Sequence, residues 1–180
     1  MQAVVEATRR WLERAVIGLN LCPFAKAVVV KQQVHFAVSY ARDVPGVLED
    51  LGRELDALLA CVPQQRDTTL LIVPHGFDDF LDFTALVQPA QRLLRKRRLE
   101  GVLQLAEFHP RYVFAGNEDD DPGNRTNRAP YPILHLLRED SIDRAVSAFP
   151  DPADIYEANV ATLERLGAEG WAALDVGPAR

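Results

Sequence analysis

The sequence predicts an α/β sandwich: a three- to four-stranded mixed or parallel sheet with flanking helices and an extra C-terminal helical segment. Three observations lead there. Short β-branched or continuously apolar runs alternate with longer segments of helical period, the order that builds strand-helix-strand units. The 180 residues suffice for one well-buried core and are too few for two ordinary domains, so residues 1–180 are expected to form a single domain. Hydrophobic residues make up 48% and charged residues 26%, far from the signature of disorder.

The elements follow in order. Val4, Thr8, Trp11, Leu12, Ala15 and Leu19 share one face of a helix over residues 3–19, whose other side is charged. Gly18 and Asn20 are suitable exit residues, and Cys22-Pro23 forces a bend, because a residue before proline avoids the α region. Residues 28–40 read as a strand, with Val34, Phe36 and Val38 alternating against His35, Ala37 and Ser39. Asp43 and Pro45 open a second helix with Val47, Leu48, Leu51, Leu55, Leu58, Leu59 and Val62 as its stripe and Cys61 at its border.

Residues 69–73 form a continuous apolar run ended by Pro74, as expected of an interior strand. A helical region from Asp79 to Arg98 contains Pro89, expected to kink it or start a second piece, and residues 101–109 read as a further strand. Residues 115–130 are a long polar loop of the kind that carries function. Short helices are expected over residues 132–139 and 141–149. Asp151 as N-cap, Pro152 at the first position and Gly167 past the end mark the last helix.

Composition narrows the functional classes. A net charge of −6 disfavours a long nucleic-acid or anionic-membrane surface. The run Arg95-Lys96-Arg97-Arg98 reads first as a cationic helix end opposing the helix dipole, with RNA binding as the alternative. Apolar stretches stay short of the ~20 residues that span a bilayer, no signal-peptide succession is seen, and two cysteines without zinc-type spacing build no disulfide framework; a cytoplasmic protein is expected.

Candidate chemistry gathers between Glu107 and Glu139. Glu107 and His109 leave one face of a strand, at the carboxyl end where open α/β sheets place their sites. His135, Arg138 and Glu139 have the i, i+3, i+4 spacing of a helix face. In one reading Arg125, Arg128 and Arg138 bind a carboxylate or phosphate, Asn124, Asn127 and Tyr131 help to orient it, and His109 or His135 moves a proton. In a second, His109, His135 and Glu139 hold a metal, two imidazoles and a carboxylate being a known ligand set. The third is a binding module without catalysis. Cys22 is an outlying candidate nucleophile, against the plainer reading of a small buried residue. The acidic run Glu118 to Asp121 lacks calcium-loop spacing and reads as a solvated loop. Asn159 falls on the buried face of the last helix, where it is expected to tie down the 115–130 loop. No cofactor is indicated.

The segments "NLCPFA" at 20–25, "FHPRYVFAG" at 108–116, "NRTNRAPYPILHLLRED" at 124–140 and "NVATLERLG" at 159–167 resemble an uncharacterised family, domain of unknown function 1415. The resemblance spans nearly the whole chain and implies a one-domain boundary. It carries no activity, cofactor or site residue with it.

Overall fold

The computed structural model describes residues 1–147 and 152–179. Four strands form one mixed sheet in the order β1-β2-β4-β3: β1 (Val34–Val38), β2 (Thr68–Ile72), β3 (Leu103–Phe108) and β4 (Ile133–Arg138). β1 and β2 are parallel, and β4 runs antiparallel to both β2 and β3. β1, β2 and β3 therefore point the same way, and their carboxyl ends share an edge with the start of β4.

Two helical layers cover the sheet. α3 (Val44–Ala60) and α4 (Phe80–Lys96) lie on one face, where Leu51, Leu55, Leu58, Phe83 and Leu86 meet Leu71, Leu103, Leu134 and Leu136. Each leucine fully buried there contributes roughly 1.5–3 kcal/mol of transfer free energy. Asp43 caps α3 by accepting from the Gly46 amide, and Asp79 caps α4 by accepting from Leu81 and Asp82. α4 passes through Pro89 without ending.

On the other face α1 (Gln2–Trp11) continues into a π-helix (Leu12–Ile17), followed by α2 (Ala25–Val30). Trp11, Leu12, Ala15 and Val16 pack there on Leu70, Ile72 and Ile133. α5 (Glu139–Val146) and α6 (Pro152–Ala173) complete the chain, and α6 packs on a short 3-10 helix (Pro122–Asn127). Gly167 breaks α6 at φ 66°. Among the described residues no helix is long and apolar enough to cross a membrane.

The expected helix over residues 132–139 is in fact β4. Ile-Leu-His-Leu-Leu-Arg is rich in helix formers, yet it lies between two strands with both faces covered, so tertiary pairing overrides propensity. The strand expected over residues 28–40 is shorter, because Ala25–Val30 is helical. The expected N-cap Asp151 and the helix end at Phe149 lie outside the described residues.

Candidate functional site

Strand alternation sends Glu107 out on the same face as Leu103 and Leu105, toward α4, at the carboxyl end of β3. His109 follows on that side and is fully buried between the rings of Phe80 and Phe83. Its Nδ1 accepts from the Arg111 amide at 3.0 Å, and its Nε2 donates to the Phe77 carbonyl at 2.9 Å. That pattern assigns a neutral ring with both nitrogens engaged. Burial holds it below the usual imidazole range. His109 thus ties the start of the 109–131 segment to the turn before α4.

His135 lies on the opposite face of the sheet, in register with Leu70 and Ala106. Its Nε2 is 2.5 Å from the Thr68 hydroxyl, which itself donates to the Leu136 carbonyl at 2.7 Å, so the ring is the donor in the first contact. Burial lowers its pKa to about 4. Glu139 stands beyond β4 at the far edge, where its Oε1 accepts from the Gly101 amide. Because residues 133–138 are a strand, His135, Arg138 and Glu139 do not share a helix face. The expected metal triad is not brought together: two histidines on opposite faces and a carboxylate at the other edge do not converge. No group of three His, Cys, Asp or Glu side chains suited to a metal occurs among the described residues.

Two of the three arginines expected to bind an anion are engaged within the protein. Arg138 leaves β4 toward α3 and donates to the carbonyls of Leu58 and Cys61 at 2.6 and 2.7 Å, closing the carboxyl end of that helix. Arg128 donates to the Tyr112 and Asp119 carbonyls and pairs with Asp119 at 3.2 Å. The half-buried side chain of Arg125 makes no hydrogen bond or ion pair among the described residues.

The asparagines shape the loop. Asn124, fully buried, accepts from the Phe114 amide and donates to the Glu118 carbonyl, holding residues 114–124 as a closed turn. Asn127 donates to the Glu107 carbonyl at 3.1 Å, and its own carbonyl accepts from the His109 amide at 3.1 Å. The loop is thereby stitched to the outer edge of β3. Tyr131 accepts from the Ala179 amide, which fastens the C-terminal segment. Asn159 donates to the Leu21 carbonyl at 2.8 Å, so it fixes the backbone just before Cys22 and not the 115–130 loop. Cys22 is a free, half-buried thiol packed at the edge of the α1-side core.

One group was missed by the sequence reading. Tyr112 sits half-buried against Phe80 and Phe114, and its hydroxyl interacts with both the Glu107 carboxyl and the Asn127 amide. Burial raises the Glu107 pKa above the usual carboxylate range, and the hydrogen bond from Tyr112 opposes part of that rise. Tyr112 is itself raised, by burial first and then by the Glu107 charge. Among the described residues Glu107 is the carboxyl group clearly displaced in this way. The spacing of Glu107 and Tyr112 gave no signal, because the turn at His109 brings them together.

The chain belongs to the family described as protein of unknown function (DUF1415), whose model matches residues 3–173. No curated protein and no solved structure matches it.

Proposed function

For this DUF1415 protein we propose an enzyme that moves a proton on a small anionic metabolite, a carboxylate or phosphate. Glu107 is the acid-base group, Tyr112 and Asn127 position it, and Arg125 draws the anion. The observation that carries this reading is the Asn127-Tyr112-Glu107 chain at the carboxyl end of β3. A carboxyl group whose pKa is raised by burial is a better base when ionised and is more readily protonated as an acid, and general acid-base groups supply about 10²–10⁴-fold in rate. Arg125, half-buried on the 3-10 helix two residues before Asn127, is a cation whose side chain has no hydrogen-bond or ion-pair partner among the described residues. The proton role first expected of His109 passes to Glu107, since both nitrogens of His109 are already bonded to backbone.

Solvent exchange tests this without knowledge of the product. The protein is incubated in D2O with pools of small carboxylates and phosphate esters, and loss of C–H signals is followed by proton NMR. The expected result is catalysed exchange in at least one compound, abolished by Glu107→Gln, with Arg125→Ala raising KM more than it lowers kcat. Exchange that survives Glu107→Gln refutes the assignment. Ligand-induced thermal shifts without exchange in any compound favour the non-catalytic binding module instead.

A further inference from the structure

The edge of the sheet opposite Glu107 presents a second surface with a different chemistry. α3 and α4 both run back from the carboxyl ends of β1 and β2, so both end at the amino edge. Arg138 on the Leu58 and Cys61 carbonyls and Arg97 on the Gly52 carbonyl anchor those ends there. Four of the exposed large apolar side chains belong to segments that end at this edge: Val30 (73%) at the close of α2, Leu59 (40%) in the last turn of α3, Val62 (52%) just after it, and Val102 (46%) before β3. Gln33 donates to the Gln64 carbonyl, which draws the segments of Val30 and Val62 together.

Cations border them. Arg97 pairs with Asp56, but the exposed side chains of Arg95, Lys96 and Arg98 make no ion pair or hydrogen bond among the described residues. Opposition to the helix dipole accounts for charge in the last turn of α4. It does not account for exposed valines and a leucine on segments that end at the same edge in a chain of net charge −6. On α3, by contrast, the outward Arg53 is paired with Glu49 and Asp50.

We infer that this edge docks an acidic protein segment, whose apolar side chains cover Val62, Leu59 and Val102 while its carboxylates meet Arg95, Lys96 and Arg98. An apolar centre with an arginine-bearing rim is the composition of a protein interface, and guanidinium forks match carboxylates. Among the described residues the edge lacks the exposed aromatic rings that seat a lipid interface or stack on bases: the exposed tyrosines are Tyr40, after β1 at the carboxyl edge, and Tyr156, on α6.

The full chain, labelled with nitrogen-15, is titrated with a short peptide alternating Glu and Leu, and in parallel with polyuridine and with phosphatidylserine vesicles. Shifts from the peptide are expected at residues 59–62 and 95–102, weakened about tenfold or more both in the Arg95→Glu, Lys96→Glu, Arg98→Glu variant and in Val62→Asp. All four positions are solvent-exposed, so folding is retained, and Glu107→Gln is expected to bind the peptide as the parent does. Peptide binding that persists in both surface variants, shifts located elsewhere, or no peptide binding overturns the inference. So does tighter binding of polyuridine or vesicles by the same residues.

Discussion

At the amino end of the sheet Arg66 and Arg138 are almost wholly used up by the fold, whereas at the carboxyl end Glu107 and Arg125, among the described residues, are not. Arg66 is buried, bonded to Glu54 and to the Thr69 hydroxyl at 2.7 Å, with His35 3.7 Å from the same Glu54 carboxylate. Arg138 serves three carbonyls, of Leu58, Cys61 and Arg66, and lies 4.0 Å from Asp67, which accepts from Ser141. Charge there is matched by charge or carbonyl, and its effect is to hold the end of α3 against the strands. At the other end a half-buried carboxyl has no ion pair among the described residues and keeps a raised pKa, with the Tyr112 hydroxyl hydrogen-bonded to it. Fully matched groups stabilise a fold, while an incompletely matched group retains free energy for a ligand.

The amino end is the place where loss of one partner is expected to be most damaging. Arg66→Ala leaves Glu54 without its guanidinium in a partly buried site, and a loss of about 3–5 kcal/mol is expected by urea unfolding. His109→Ala comes next. It removes two bonds to backbone and the ring between Phe80 and Phe83, for about 2–4 kcal/mol. Comparable stability with loss of exchange alone would return His109 to the chemistry.

Acid sharpens the contrast further. His135 titrates near 4 when folded and near 6.5 when unfolded, so the unfolded chain takes up the proton first. Stability is unaffected above about pH 6.5 and is lost as pH falls toward 4, by up to about 3 kcal/mol for this residue. The lowered pKa values of His109 and His35 act in the same direction. Urea midpoints measured across this window check it, and a His135→Leu variant is expected to flatten the profile. The smallest change in stability belongs to Glu107→Gln, about 0.5 kcal/mol or less in either direction, although it is the variant expected to lose exchange.

Much of the fold was legible because its signals are local. The α3 stripe, buried from Val47 to Leu58 though exposed at Leu59 and Val62, the helix starts at Asp43 and Asp79, and the apolar run 69–73, which falls within one residue of β2, all follow from period and local chemistry. β4 was not, since Leu134, Leu136 and Leu137 fit a helix or a covered strand equally well, and only pairing with β2 and β3 decides. That single change of period also dissolved the His135-Arg138-Glu139 face. The polar density of residues 107–139 located the loop correctly but did not distinguish side chains that bind backbone, such as Asn124 and Arg128, from those that remain available. Whether a polar group is already bonded depends on folding partners far along the chain, as with Trp11 on the Arg128 carbonyl.

Carbon-13 NMR titration of the Glu107 carboxyl, in the parent protein and in Tyr112→Phe, tests the central claim most directly. The expected result is a midpoint above that of ordinary glutamates, moved higher still when the Tyr112 hydroxyl is removed. A midpoint in the ordinary range that does not respond to Tyr112→Phe would contradict it.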